Sequence, residues 1–256
     1  MKTKCWRPGD TVNHFVTHNR PDADELLIFA IRSAFPDIVG KALPGLKSAK
    51  IGFMTMDIDG LEDFSPPPDA IFVGVGKGRF KSSFDEHADK RRSVSAATLL
   101  VKTLPLRFPH WRALQKTLGD VVYEDEWGTR LPWEIPGVIK WLHNVFTTEE
   151  VLEWSRLAYY AEIMDQKSKF ESGYWEEDKR NWQPLTVPVA YELIKKYVGE
   201  KSANDWLEMF DLSAGFTETL KLDAVNIVRN FRSNGGTVDH LETRYGPVKV
   251  LTITTN

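Results

Sequence analysis

Short apolar runs alternate with amphipathic segments over the first half of the chain. The runs at residues 12–17 (VNHFVT), 51–56 (IGFMTM) and 70–75 (AIFVGV) are rich in β-branched and aromatic residues, as buried strands are. The segments that follow Asp22 (ADELLIFAIRSAF) and begin at Ser93 (SVSAATLLVKTL) place apolar residues at helical spacing. Strands that alternate with helices predict an α/β fold, with a mainly parallel sheet and helices on both faces.

The pattern changes near residue 138, where the chain becomes helical and aromatic, as in the segment 148–166. Near the C-terminus, Gly235-Gly236 predicts a turn and Val248–Thr254 (VKVLTIT) predicts a strand in a small sheet. We therefore predict two domains. An α/β domain occupies residues 1–138, and a helical linker with a smaller C-terminal lobe occupies residues 139–256.

The most informative polar residues follow the first predicted strand. His18 is followed four and six residues later by Asp22 and Asp24, so one imidazole and two carboxylates share a strand-loop-helix corner. These donors suit Mn²⁺ or Mg²⁺ better than a softer zinc site. An alternative stays open, in which Asp22 caps the helix, Asp24 complements the helix dipole and His18 is a solvated loop residue.

A second cluster, Asp85-Glu86-His87, follows the predicted strand at residues 70–75. Five basic residues surround it and could hold phosphate oxygens, although such a run is ordinarily a solvated face. They are Arg79, Lys81, Lys90, Arg91 and Arg92. Arg20, which lies inside the first loop, is a further candidate for a phosphate contact.

Together the two clusters resemble the motifs of the DHH phosphoesterases. The first motif of that family reads His-x-x-x-Asp-x-Asp, and its third motif, Asp-His-His, gives the family its name. The stretch Val73-Gly74-Val75-Gly76 ahead of Phe84-Asp85-Glu86-His87 looks more specifically like the melanocyte-proliferating-gene nuclease branch, where Asp-Val-Gly-Gly precedes Asp-His-His. The resemblance covers residues 12 to about 130.

The resemblance implies a phosphoesterase with two Mn²⁺ or Mg²⁺ ions about 3.5 to 4 Å apart. It assigns His18 and Asp22 to one metal and Asp24 to the other. The aspartate of the fourth motif is assigned to Asp125, with Asp120 as second choice, and a solvated acidic turn is the alternative for this segment. His87 takes the position of the histidine near the substrate phosphate.

Two residues depart from the family pattern. Gly74 stands where the second motif has a bridging aspartate, and Glu86 stands where the third motif has its first histidine. Glutamate can still ligate a hard cation, and Asp57 or Asp59 could supply a carboxylate from the neighbouring strand end. We assign catalytic roles to His87, Asp85 and Arg20. The metal ligands are predicted to be His18, Asp22, Asp24, Glu86 and Asp125.

Two functional hypotheses follow from the resemblance and from its departures. The first is a metal-dependent phosphodiesterase of exonuclease type that acts on a short RNA or DNA oligonucleotide or on a nucleotide. The alternative is a catalytically impaired relative that binds a nucleotide or a single metal and acts through a partner. A pyrophosphatase is a third reading, which the shared motif permits.

Net charge, cysteine content and the length of apolar runs limit the cellular compartments and the partners that we expect for the protein. A net charge of -3 over 256 residues means that any nucleic-acid contact must be local rather than a general coating of DNA. The single cysteine, Cys5, excludes an internal disulfide framework and a cysteine-rich zinc site. Because we find neither a signal-peptide core nor a run of about 18 apolar residues, we expect a cytoplasmic protein without a membrane partner.

Tryptophan is frequent between residues 127 and 206. We interpret most of these rings as core residues, because they occur in segments of helical periodicity. Stacking on nucleic-acid bases is the alternative. The residues concerned are Trp127, Trp133, Trp141, Trp154, Trp175, Trp182 and Trp206.

Overall fold

The structure, a computed structural model, describes most of the chain. The described residues are 6–54, 65–78, 81–88, 94–131 and 133–212, and the backbone of 236–243 and 246–253. The chain separates into two compact units, Met1–Met209 and Phe210–Asn256. The predicted boundary at residue 138 lies inside the first unit, and the division into independently folding domains stays a prediction.

A four-stranded, all-parallel sheet forms the centre of the first unit. Its strands are His14–Thr17 (β1), Lys50–Phe53 (β2), Ala70–Val73 (β3) and Ser83–Phe84 (β4), in the spatial order β2-β1-β3-β4. Phe15 of β1 lies in register with Ile51 and Ile71. Every residue of β3 is buried, so both faces of the sheet are covered there. The predicted α/β fold is confirmed.

Helices make up most of the rest of the first unit. They are Ala23–Ala34 (α1), Pro36–Ala42 (α2), Ala96–Val101 (α3), Phe108–Trp127 (α4), Ile135–Leu142 (α5), Thr148–Glu171 (α6) and Val187–Tyr197 (α7). A further helix begins at residue 200. Short 3₁₀ helices occur at Leu46–Ser48, Glu86–Ala88 and Lys179–Asn181. Among the described residues, no helix has both the length and the apolar composition that a membrane crossing requires.

The predicted elements are present, but their boundaries differ. The helix predicted from Ser93 begins at Ala96, because the side chain of Ser95 accepts a hydrogen bond from the backbone N–H of Thr98 and caps the helix there. The first strand begins at His14 rather than at Val12, whose N–H instead donates to the carbonyl of Pro44 at 2.6 Å. Sequence pattern therefore located the elements within a few residues.

The strand order reverses between β1 and β3. From β1 the chain passes to β2 on one side, and it then returns to place β3 on the other side of β1. In open parallel sheets, ligands bind at such a switch point, outside the carboxyl ends of the strands. His18 directly follows β1 and Gly74 directly follows β3, so the first motif loop and the Gly74 segment begin on the two sides of this position.

Helix α6 joins the later part of the first unit to α1, α4 and α7, on which it packs. Its Trp154 stacks on Trp206, with ring centroids 4.4 Å apart and planes 9° from parallel. Each indole N–H donates to the backbone carbonyl of the other tryptophan, at 3.0 and 2.9 Å. Both rings are buried, which makes them core residues and excludes them from stacking on bases.

The second unit contains an antiparallel pair of strands, Gly236–Thr243 (β5) and Gly246–Ile253 (β6). Gly236 pairs with Ile253, and Thr243 pairs with Gly246. The strand predicted at 248–254 is confirmed as far as Ile253. The predicted turn at Gly235-Gly236 is wrong for Gly236, which begins a strand, and Gly235 lies outside the described residues.

Candidate metal site

The loop after β1 brings three ligand-type side chains together. Atoms of His18, Asp22 and Glu25 all lie within 4.8 Å of one another. The corner forms because Asp22 is the extended N-cap residue of α1, and Glu25 accepts a hydrogen bond from the Asp22 backbone N–H at 2.9 Å. This helix cap turns both acidic side chains back toward His18.

The imidazole of His18 is oriented at both nitrogens. Its Nδ1 lies 3.0 Å from the carbonyl oxygen of Asn19, and its Nε2 lies 3.1 Å from Oε1 of Glu25. When Nδ1–H donates to Asn19, Nε2 and Oε1 both present lone pairs, so a proton or a cation must lie between them. Adjacent ligands of an octahedral ion with bonds of about 2.1 Å are about 3.0 Å apart, so this spacing fits Mn²⁺ or Mg²⁺ as well as a proton.

Asp24 is buried beneath this group rather than part of it. Its Oδ2 accepts a hydrogen bond from the backbone N–H of Ala96, at 2.8 Å, so it links α1 to the start of α3. Burial raises the pKa of Asp24 well above its ordinary value, and the negative charges of Glu25, Asp22 and Glu86 add to that shift. The predicted ligand role of Asp24 stays a prediction.

The pKa values of the two carboxyl groups beside His18 are shifted in opposite directions. Burial raises the pKa of Glu25 well above its ordinary value, and the charge of Asp22 adds to this. Burial also opposes ionisation of Asp22, but hydrogen bonds from Asp24 and Glu25 outweigh it and lower the pKa of Asp22. Without a cation, Glu25 and Asp24 therefore keep their protons to a higher pH than Asp22 does.

Gly74 and Glu25 share one space at the switch point. A Cβ atom on residue 74 would lie 1.8 Å from Oε1 and 2.8 Å from Cδ of Glu25. Gly74 also has a backbone φ of 68°, in the left-handed region that side chains other than asparagine and aspartate rarely adopt. The position without a side chain is therefore filled by the carboxylate of Glu25.

The second cluster follows β4, a short strand that was not predicted and that lies between the cluster and the predicted strand at residues 70–75. Atoms of Asp85, Glu86 and His87 lie within 4.8 Å of one another. Asp85 is buried, and it accepts hydrogen bonds from the backbone N–H groups of Lys77 at 2.5 Å and His87 at 3.0 Å. It therefore holds the loop after β3 against the 3₁₀ turn that carries His87.

The ring of His87 is oriented by two carboxylates. Nδ1 lies 2.9 Å from Oδ1 of Asp85 and 3.0 Å from Oε1 of Glu86. Neither contact uses Nε2, and half of the side chain is exposed. The two carboxylates thus fix the ring of His87 through Nδ1 alone.

Within this cluster, Glu86 has a buried carboxylate oxygen that a cation could bind. In the part of the chain that the structure describes, its Oε2 is buried without a hydrogen-bond partner. Burial raises the pKa of Glu86 to about 7, and the charges of Asp125 and Asp85 contribute. A buried carboxylate oxygen without a partner is costly, and a bound cation would satisfy it.

The two acidic candidates on α4 have different surroundings. Partial removal from water raises the pKa of Asp125, and the negative charge of Asp22 adds to it, which places Asp125 within electrostatic reach of the first cluster. Asp120 instead accepts hydrogen bonds from Lys116 at 3.2 Å and Arg130 at 2.7 Å. Asp120 is thus held by two cationic side chains, and the predicted ligand role of Asp125 stays a prediction.

Arg20 holds the motif loop in place. One of its guanidinium nitrogens, Nη2, donates to the carbonyl of His143 at 3.0 Å and to Oδ1 of Asn144 at 2.7 Å. His143 Nε2 in turn lies 2.7 Å from the carbonyl of Pro21. The loop is thus fastened to the end of α5, and the predicted phosphate contact of Arg20 stays a prediction.

Sequence reasoning missed Glu25 as a candidate ligand and Lys140 as a neighbouring cation. Lys140 donates to Glu124 at 2.6 Å, and its side chain is half exposed. Its positive charge helps to lower the pKa of Asp22. The capping-box spacing of Asp22 and Glu25 was a usable signal for Glu25, whereas no local pattern links Lys140 to a loop more than 100 residues earlier.

Several predicted residues lie outside the described part of the chain: Asp57, Asp59, Arg79, Lys90, Arg91 and Arg92. Lys81, the remaining member of the basic group, is exposed. The proposed basic surface around the second cluster therefore stays a prediction.

A divalent metal fits the residues that the switch point brings together. The donors are imidazole nitrogens and carboxylate oxygens, which suit Mn²⁺ and Mg²⁺, and Glu86 offers a buried oxygen that lacks a partner among the described residues. His18, Asp22 and Glu25 would hold one ion, and Glu86 with Asp85 or His87 would contribute to a second. No protein-family model, curated protein or solved structure matches the chain.

Proposed function

We propose that the protein is a metal-dependent phosphoesterase that hydrolyses a phosphodiester bond. The proposed substrate is a short RNA or DNA oligonucleotide or a nucleotide, cleaved in the manner of an exonuclease. The observation that carries the proposal is the presence of two histidine-carboxylate clusters after the carboxyl ends of parallel strands of one sheet, one after β1 and one after β4. The resemblance of their motifs to those of DHH phosphoesterases supports it.

In this proposal, bound Mn²⁺ or Mg²⁺ would neutralise phosphate charge and activate a water for attack on phosphorus. The residues of the chain then have separate tasks. Asp85 and Glu86 orient His87 through Nδ1, which directs the other ring nitrogen to the substrate. His87 would donate a hydrogen bond to a phosphate oxygen or a proton to the leaving oxygen.

Positive charge near the first cluster would help to bind an anionic substrate. Lys140 lies close enough to Asp22 and Asp125 for their charges to raise its pKa, although burial opposes this and Glu124 is its nearest partner. Its side chain is half exposed, and its amino group is protonated at neutral pH. We propose that Lys140 helps to attract the phosphate.

The experiment that tests this function is hydrolysis of bis(p-nitrophenyl) phosphate and of short end-labelled RNA and DNA, with Mn²⁺ added. We expect wild-type turnover, with His87→Gln slowed by about 100-fold, as loss of a general acid commonly is. Asp22→Asn should abolish measurable turnover. Asp178→Asn is the matched control, because Asp178 caps the 3₁₀ helix Lys179–Asn181 after α6 and pairs with Arg180. Turnover that survives Asp22→Asn would contradict the proposal.

A second candidate function is binding without hydrolysis. Glu86 favours it, because a carboxylate at this position adds negative charge beside Asp85 where the family has an imidazole. Such a protein would bind a nucleotide or one metal and act through a partner. It would show nucleotide binding in calorimetry and no turnover at any Mn²⁺ concentration, and reproducible turnover that is lost in Asp22→Asn would exclude it.

A further inference from the structure

Residue 74 is a glycine, so it supplies no negative charge to offset the repulsion between two bound cations. A carboxylate that bridges two divalent cations reduces their mutual repulsion, so a site that lacks one should bind at least one ion weakly. Gly74 supplies no such group, and a side chain there would overlap the carboxylate of Glu25. The carboxylate needed at this place therefore has to come from another residue.

We infer that Glu25 supplies the metal-ligating carboxylate that the DHH pattern takes from residue 74. This inference rests on the proposed function and specifies which role one candidate ligand has in the same site. Oε1 of Glu25 occupies the position from which a short side chain at residue 74 would project, and it also lies 3.1 Å from Nε2 of His18. Gly74 and Glu25 thus form a compensating pair.

The two carboxylate oxygens of Glu25 have different tasks. Oε2 accepts the hydrogen bond from the backbone N–H of Asp22 and so closes the cap of α1. Oε1 faces His18 and the backbone of Gly74, at the edge where the strands end. The cap fixes the side chain, and this places Oε1 in the site before any ion arrives.

A capping role alone is the competing explanation, and it can be separated from ligation. Glutamine keeps an oxygen that accepts the Asp22 N–H bond, because capping boxes use glutamate and glutamine alike. Glutamine lacks the negative charge that a divalent ion requires. Glu25→Gln therefore preserves the cap and removes the proposed ligand. Glu150→Gln is the matched control, because Glu150 forms the same type of cap at the exposed start of α6.

The experiment is Mn²⁺ binding to the full chain by isothermal titration calorimetry, with urea unfolding of every variant. We expect Glu25→Gln to weaken Mn²⁺ binding by about 10-fold or more without loss of stability, as removal of a supporting ligand does. Glu150→Gln should bind as the wild type does. The double variant Glu25→Ala/Gly74→Asp should bind more tightly than Glu25→Ala, because aspartate tolerates the left-handed φ of residue 74.

The Mn²⁺ affinities of these variants distinguish a failure of the Glu25 assignment from a failure of the proposed function. Wild-type affinity in Glu25→Gln would overturn the inference, and the function would stand if Asp22→Asn still lost the metal. Failure of Gly74→Asp to recover any affinity in the Glu25→Ala background would contradict the equivalence of the two positions. A wild-type protein that binds no Mn²⁺ would overturn the inference and the proposed function together.

Discussion

The carboxylate of Asp24 accepts a hydrogen bond from the backbone N–H of Ala96, 72 residues later in the chain, at 2.8 Å. Both groups are buried. The bond ties the first motif to the start of α3 and supplies a partner for an N–H group that the helix itself cannot satisfy. Asp24 is therefore a structural anchor as well as a candidate ligand.

This anchor predicts that two substitutions of Asp24 differ in stability. Asp24→Asn keeps an oxygen that can accept the Ala96 bond, whereas Asp24→Ala leaves that N–H buried without a partner. We expect Asp24→Ala to be less stable than Asp24→Asn by about 1–3 kcal/mol in urea unfolding. Equal stability of the two variants would show that the bond does not hold α3.

Functional tests at this residue should use Asp24→Asn. Inactivity of Asp24→Ala would not separate loss of a ligand from loss of the α1–α3 link. Asp22 makes no hydrogen bond to α3 among the described residues. Its carboxyl group is hydrogen-bonded to Asp24 and Glu25, so Asp22→Asn leaves the bond between Asp24 and Ala96 in place.

The connection between α5 and the motif loop predicts an effect on metal affinity. Burial lowers the pKa of His143, so its neutral ring donates through Nε2 to the carbonyl of Pro21. His143→Phe removes this donor, and we expect Mn²⁺ affinity to fall by about 10-fold, as loss of a supporting hydrogen bond does. His110→Phe is the control, because His110 contacts the start of α4 instead. Equal affinities in calorimetry would refute this role.

A buried ion pair joins α4 to α6. Lys116 donates to Glu162 and Asp120, and Glu162 also accepts from the hydroxyl of Thr117 at 2.8 Å. Lys116→Met would leave Glu162 buried and unpaired, and we expect a loss of about 3–5 kcal/mol in unfolding free energy. The double variant Lys116→Met/Glu162→Leu should recover most of it, and a double variant as unstable as the single one would contradict this account.

The lowered pKa of Asp165 predicts that the free energy of unfolding decreases at acidic pH. Burial opposes its ionisation, but hydrogen bonds from Lys169 and Lys196 outweigh this and lower its pKa below the ordinary value. A carboxyl whose pKa is lower in the folded state stabilises the protein above the unfolded pKa of about 3.9, and this contribution disappears as pH falls through the folded pKa.

We therefore expect Asp165→Asn to unfold at a lower urea concentration than the wild type at pH 7. The two midpoints should converge as the pH approaches 2. Glu153→Gln is a suitable comparison, because Glu153 pairs with Arg156 on the same helix and remains largely exposed. A midpoint difference that persists unchanged at low pH would mean that the ionised carboxylate is not the source of the stability.

The α/β fold could be predicted from sequence because each strand and helix has its own periodicity. The strands of β1 and β3 are short apolar runs, and α1 has buried residues at helical spacing. The strand order could not be predicted, since it depends on how helices pack between strands. The packing of Trp154 on Trp206 is also non-local, and it explains why the later helices belong to the first unit.

The candidate site was predictable where its residues follow strands directly. His18 and Asp22 were found by their spacing, and the structure brings them together with Glu25. The role of Glu25 depends on the space above Gly74, which is set by the pairing of β1 with β3 and has no sequence signature. The tie between Arg20 and α5 is equally non-local, so sequence alone assigned that side chain to the substrate.

The most direct test of the account is native mass spectrometry of the full chain with added Mn²⁺, beside Asp22→Asn and the control Asp178→Asn. We predict that the wild type and Asp178→Asn retain at least one ion that Asp22→Asn loses. A wild-type protein that remains metal-free, or an Asp22→Asn variant that binds Mn²⁺ as well as the wild type does, would contradict the metal site.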